Sequence, residues 1–542
     1  MKLACLPMVY RVFALHTLSQ KTCFRRDQSM EMQLMTESIQ LEQPLGMCQS
    51  QAVVEGEITL PGGLREETRV LQAGGMAVVE NAEALQDRVT VSGRVIFHVL
   101  YTQGDPGRVN SIEAAADFTH LCELPGAQAR SKVFAQAHVE HTEATVAGSR
   151  LSMRAVLRID ARAVSQTPVE ALTGVLGLEG VEIKTQQASL RRTVASGSTD
   201  VLLREEFALP EGLQIRDTLY ATACPQLTDI TGGLGRIGLT GQVLLEAVHA
   251  STMPGKALVV TRHSLPLIQS VEVAGENGEM LDGRVTVKDV AVASQDAGDG
   301  ERTLRVEVLL GLEAWADREE CMTLLSDAYT TTGDDLRLTT RTVSIRTGDN
   351  RLHAAESGKV MLLLPEGTPP VRSVLSAFAI PVMTSREQVG GRMTAEGMLE
   401  ITLLYMTDES DAPVTVQQEE PFRVTFAAQA GDDDFLSLMI NEIDAAPITS
   451  DRVELRYIMH LNAEGVETSD VRLVTDVQPV AAGMPTEDIV LYFTQPGETL
   501  WDIARRYRVP VTSMKELNPE MSGEPHTGQG VVVWRRQATQ CG

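Results

Sequence analysis

Val89-Thr90-Val91-Ser92-Gly93-Arg94-Val95-Ile96-Phe97-His98-Val99-Leu100-Tyr101 decides the fold. Val89, Val91, Val95, Phe97 and Val99 share one face, and period two over a dozen residues predicts a long strand with that face in a core. The pattern occurs three times. Ile237, Leu239, Val243, Leu245 and Ala247 repeat it around Gly241, and Met393, Ala395, Leu399, Ile401 and Leu403 repeat it around Gly397. The glycines at 93, 241 and 397 lie 148 and 156 residues apart. A second marker agrees: Leu60-Pro61-Gly62-Gly63, Leu209-Pro210-Glu211-Gly212 and Leu364-Pro365-Glu366-Gly367 place prolines at 61, 210 and 365, spacings of 149 and 155. Two independent markers with nearly the same periods establish an internal triplication. The glycine on each inner face predicts a bulge or a close backbone approach.

Further strands match between copies at Leu151 to Ala161, Leu304 to Ala314 and Val453 to Ala463, with turn clusters such as Gly104-Asp105-Pro106-Gly107 between the runs. The expected fold is mainly β: three tandem β-sandwich-like repeat domains of about 150 residues each, too large for solenoid repeats, then a small α+β tail. The expected boundaries are 35–170, 171–325, 326–480 and 486–536, after a stretch 1–34 read as a disordered leader or an early start, the true one being near Met30, Met32 or Met35.

Composition bounds the function. The chain carries 73 acidic and 47 basic residues, a formal charge of −26, which argues against nucleic acid and anionic membrane surfaces, both of which need clustered Lys and Arg. Seven scattered cysteines (Cys5, Cys23, Cys48, Cys122, Cys224, Cys321, Cys541) with no Cys-x-x-Cys pair suggest neither a disulfide framework nor zinc, and read as buried or free thiols in a reducing compartment. No run approaches eighteen apolar residues, so no transmembrane helix is expected. The basic residues interrupting Met1 to Met30 leave no signal-peptide core.

The tail reads as strand, helix, helix, strand. Ile489 to Phe493 is a short β-branched and aromatic run ended by Pro496-Gly497. Thr499 and Asp502 approximate a capping box, and Leu500, Ile503, Ala504 and Tyr507 recur at helical spacing, leaving Arg505, Arg506 and Arg508 to solvent. Val511, Met514 and Leu517 give a second inward face, stopped at Asn518-Pro519, and Val531 to Trp534 closes the module. This tail resembles the LysM family, whose members bind N-acetylglucosamine polymers such as peptidoglycan. The resemblance implies a shallow glycan groove between two loops, here Gly497, Glu498, Thr499 and Leu500, and Asn518, Pro519, Glu520 and Met521. The loop Met521-Ser522-Gly523-Glu524-Pro525-His526 departs from the family pattern.

Catalytic signals are absent from the text. Gly233-Leu234-Gly235-Arg236-Ile237-Gly238 mimics a dinucleotide fingerprint but precedes a strand, so it reads as a hairpin turn. His138 and His141 stand three apart in a strand and are expected on opposite faces. The acidic loops Asp296 to Glu301 and Gly431 to Phe435 read as solvated loops rather than calcium loops. No cofactor, metal or catalytic residue is expected.

Three β-rich repeats ahead of a LysM tail resemble the SipL family, the SpoIVA-interacting LysM proteins of spore-coat morphogenesis, most specifically at Gly93 to Tyr101 and Gly397 to Tyr405. The second copy departs, with Val248-His249 in place of Leu-Tyr. The resemblance implies a non-enzymatic scaffold in the mother-cell cytoplasm at the forespore surface, binding a SpoIVA-like coat ATPase and other coat proteins. The alternative is a secreted, peptidoglycan-binding or other N-acetylglucosamine-binding wall protein. A third reading is a wall-lytic enzyme targeted by the LysM tail.

Overall fold

The computed structural model of the chain describes residues 32–534, apart from 61–62, 64–66, 149, 210–211, 254–256, 297–301, 411, 432–433, 482–488 and 522. The leader up to residue 31, two of the three marker prolines (Pro61 and Pro210) and most of the two acidic loops lie outside the described residues.

The architecture is mainly β, and each copy builds two facing antiparallel sheets. In the first copy the strands are β1 (Gln33–Ile58), β2 (Arg69–Leu85), β3 (Arg88–Gln103), β4 (Asp105–Glu123), β5 (Lys132–Ala147) and β6 (Arg150–Leu176). One sheet has the order β1-β6-β5 and the other β2-β3-β4. The second copy follows with β7 (Val181–Ala208), β8 (Ile215–Gly233), β9 (Arg236–Ser251), β10 (Leu258–Glu272), β11 (Ala274–Gly275), β12 (Met280–Asp296) and β13 (Arg302–Thr330), in sheets β11-β7-β13-β12 and β10-β9-β8. The third has β14 (Asp335–Leu363), β15 (Ser373–Val389), β16 (Arg392–Met406), β17 (Val414–Phe426), β18 (Phe435–Thr449) and β19 (Arg452–Val480), in sheets β14-β19-β18 and β15-β16-β17.

The alternation read from sequence is the packing observed. Val89, Val91, Val95, Phe97 and Val99 of β3 meet Leu151, Met153, Leu157 and Ile159 of β6 in one closed core, and the other two copies build equivalent cores. The central glycines do what their position predicts. A Cβ on Gly93 would sit 2.0 Å from the Val78 carbonyl oxygen, on Gly241 2.0 Å from that of Gln226, and on Gly397 2.0 Å from that of Val382. Opposite each, the neighbouring strand carries a bulge, between Val79 and Asn81, Leu227 and Asp229, and Met383 and Ser385. A bulge crowds one carbonyl toward the facing strand, and only a residue without a side chain leaves room.

The three copies also share cores, which their spacing did not reveal. The pairs β1–β6, β7–β13 and β14–β19 run 26 to 29 residues per strand, about twice what one sandwich uses. Bulges at Pro44/Gly46, Ala316/Asp317 and Arg346/Gly348 mark where each pair leaves its own sandwich. Beyond them Ile39 and Leu41, Ala188 and Leu190, and Val343 and Ile345 come together with Leu324 and Leu473 in one shared core. A second shared core joins Leu172, Leu325, Leu336 and Val477. At the other end Leu100, Val248 and Leu404, equivalent residues of β3, β9 and β16, meet in a third.

Two expectations are settled at this level. Gly233 to Arg236 is the hairpin turn between β8 and β9. His138 and His141 do not face opposite sides as expected, because a bulge between Val139 and His141 puts them opposite Arg158 and Val156, two residues on the same face of β6. They nonetheless take different partners: His138 Nε2 bonds Gln136 Oε1 at 3.3 Å, and His141 Nδ1 bonds Glu400 Oε2 at 2.8 Å.

Candidate binding module and its docking surface

The tail closes as β20 (Ile489–Phe493), α1 (Leu500–Tyr507), α2 (Val511–Leu517) and β21 (Gly530–Trp534), with β20 and β21 antiparallel. The capping box is complete: the Thr499 side chain accepts from the Asp502 amide at 3.3 Å, and the Asp502 carboxylate accepts from the Thr499 amide at 2.9 Å. Leu500, Ile503, Ala504, Met514, Val531 and Val533 form the module's core. Helix α1 ends at Arg508 in the left-handed region, φ 54°, returning its N–H to Ala504 and Arg505.

One face of the module is spent on the repeat array. The expectation that Arg508 stays wet is wrong; its side chain is buried and donates to the Thr330 carbonyl (2.8 Å), the Thr330 hydroxyl (2.7 Å) and the Gly333 carbonyl (2.7 Å), at the turn between β13 and β14. Trp501 Nε1 donates to Asp327 Oδ2 at 2.8 Å, and Arg505 pairs with the same carboxylate. The Tyr329 ring meets Trp501 edge-on at 5.0 Å, and its hydroxyl donates to the Val509 carbonyl at 2.7 Å. Tyr329 is fully buried inside the tail's own core cluster. Burial of the ring pushes its phenol upward in pKa, with the Glu182 and Asp327 carboxylates adding to the effect.

The eight groove-loop residues have defined places. Gly497 takes φ +80° in an open turn where an added Cβ meets nothing within 4 Å. The Glu498 carboxylate is clasped by the Gln495 amide (2.9 Å), the Tyr492 hydroxyl (2.8 Å) and Arg506 (2.6 Å), which together hold it below the usual carboxylate range. Thr499 is the helix cap. Leu500 is buried, and its amide donates to Glu524 Oε2 at 2.7 Å. On the second loop, Asn518 is buried and bonds the Met514 carbonyl (2.8 Å), the Val532 carbonyl (2.9 Å) and the Val532 amide (2.8 Å). Pro519 and Glu520 are exposed, and Met521 turns back onto the Asn518 carbonyl at 3.0 Å. Glu524, a residue of the departing segment, places its carboxylate on the first free amide of α1.

One pair of thiols was hidden by sequence distance. Cys48 of β1 and Cys122 of β4 hydrogen-bond across the two sheets of the first copy, and Ser50 Oγ bridges Cys122 Sγ (3.2 Å) and His120 Nε2 (2.8 Å). The bond from Cys48, then that from Ser50, lowers the Cys122 pKa, while Cys48 is raised. Among the described residues no group of three or more His, Cys, Asp or Glu is placed to hold a metal ion, and no described helix is long and apolar enough to cross a membrane.

Residues 68–147, which contain β2 to β5, match the family model described as SipL, SPOCS domain. Residues 492–533 match the LysM domain. No curated protein matches the chain. No solved structure matches it either.

Proposed function

We propose that this chain is a non-enzymatic adaptor of spore-coat assembly, in which the repeats and the LysM module together bind a coat basement-layer protein, a SpoIVA-like ATPase, and recruit other coat proteins from the mother-cell side. One observation carries the reading: a SipL-type SPOCS domain and a LysM module share one chain, and the module is docked on the array through Arg508, Trp501 and Tyr329. A docked module presents one composite surface with the repeats, so partner binding draws on both at once.

The state of the groove favours protein over glycan. Glu524 already satisfies the Leu500 amide at 2.7 Å, so an acetamido carbonyl would have to displace a charge-assisted bond to reach it. Asn518 is consumed by the fold. The acidic balance of the chain, −26, sets partner choice and encounter rate.

Capture experiments separate the readings. The full chain should retain the coat ATPase from sporulating-cell extract, and removal of 486–536 should abolish retention. Sedimentation with purified peptidoglycan that depends on 486–536, with no retained coat protein, would establish the secreted wall-binding alternative instead.

A further inference from the structure

The three copies line a partly open cavity of about 50 Å³ where their long strands leave their own sandwiches. Five cationic side chains line it, from all three copies: Lys132 and Arg162, Arg284, and Arg346 and Arg351. Three carboxylates, Glu42, Asp349 and Glu464, face them.

The acids are already committed. Arg346 holds Glu42 at 2.8 Å, Asp349 at 2.9 Å and the fully buried Asp317 at 2.5 Å, and Arg191 adds a second bond to Asp317 at 2.9 Å. Glu464 pairs with Arg284, and Arg351 takes Asp282 at 2.6 Å. Arg162 is left over. It is only 9% exposed, it has no ion pair among the described residues, and its Nε and Nη1 lack any hydrogen-bond partner. It lies between the rings of Phe134 (5.7 Å) and Phe435 (5.0 Å). Arg284 Nε is likewise buried without a partner. Desolvation pulls the Arg162 pKa down and the like charge of Arg284 adds to it, while the Glu464, Asp349 and Asp434 charges oppose it.

A buried guanidinium without a bonded counter-charge is costly. A planar fork of donors is matched best by an oxygen anion. The cavity is several times the space that a single water needs, about 10–15 Å³, which leaves room for a small oxyanion. We propose that this cavity binds one small oxyanion, of the phosphate, sulfate or carboxylate type, between Arg162 of the first copy and Arg284 of the second, with Arg351 of the third beside it. Because the donors come from separate copies, the bound anion ties the three together. This site stands apart from the LysM module and does not depend on the adaptor role.

Titration calorimetry of the full chain with inorganic phosphate in low-salt, phosphate-free buffer tests it, with acetate and sulfate as parallel ligands. The expected result is one saturable site per chain for at least one of the three, weakened tenfold or more in Arg162→Leu. In anion-free buffer that variant should be at least as thermally stable as the parent, since it removes an uncompensated charge. Arg284→Met is the second variant and should weaken the same site, should Arg162→Leu fail to fold. Absence of saturable heat with all three anions, or undiminished binding in the folded variants, overturns the proposal.

Discussion

At Gly93, Gly241 and Gly397 the sequence carries a steric fact: each faces a carbonyl oxygen that a Cβ would approach to 2.0 Å. Replacing any one by alanine should lower stability by about 1–3 kcal/mol or more, as overpacking does in closed cores, read as a fall in the urea midpoint. Gly74→Ala is the matched control; an added Cβ there meets nothing within 4 Å, so its change should stay within about 0.5 kcal/mol. The second copy's departure from Leu-Tyr has its own consequence. His249 occupies the place of Tyr101 and Tyr405, fully buried, with Nδ1 bonded to Thr218 Oγ1 at 3.1 Å and Nε2 to Thr261 Oγ1 at 2.8 Å. Desolvation, and then the nearby His263, lower its pKa to about 4. The folded state therefore binds this proton less readily than the unfolded chain, whose histidine titrates near 6.5. Stability from this group is complete above about pH 6.5 and is lost as pH falls toward 4, by roughly 3 kcal/mol over that window. Urea midpoints across that range should fall in the parent and fall less in His249→Gln. An equal pH slope in the two proteins would show that another group carries it.

At the scale of elements, what was legible was what is local. Period two gave the strands, Thr499 with Asp502 gave the cap, and the glycines gave the close approaches, because each depends on neighbours a few residues or one strand away. The errors came where a distant partner decides. Arg508 follows the polar stripe of α1 and would be wet in an isolated module, but the turn after β13 supplies four acceptor contacts that periodicity cannot announce. The bulge at His141 reversed a facing argument for the same reason: one inserted residue resets the alternation. The Leu500–Glu524 bond was not legible either, since it joins residues 24 apart through a loop that departs from the family pattern. Two outcomes follow. Arg508→Ala should release the module, seen as faster hydrogen exchange of amides 327–333 with no change in 89–101. Glu524→Ala should cost about 0.5–2 kcal/mol in the stability of the tail, the range for a lost cap, measured by thermal denaturation of the full chain monitored in α1.

For the whole molecule, triplication was visible in two spacings, but the way the copies combine was not. Ile39 and Leu41 alternate like any half-buried strand, and nothing local says that their partners are Leu190, Ile345 and Leu324 rather than their own sandwich. The shared core predicts joint behaviour. Leu324→Ala should cost about 2–5 kcal/mol and raise exchange in the long strands of all three copies, whereas confinement of the effect to β7 and β13 would mean that the copies are independent. The adaptor role belongs to this scale too, since it needs the array and its docked module to act as one surface. Imaging a fluorescent fusion of the full chain in sporulating cells tests it most directly. An adaptor should form a shell around the forespore that becomes diffuse in the mother cell when 486–536 are removed. Signal outside the cell, or spread evenly over the cell envelope, would contradict it.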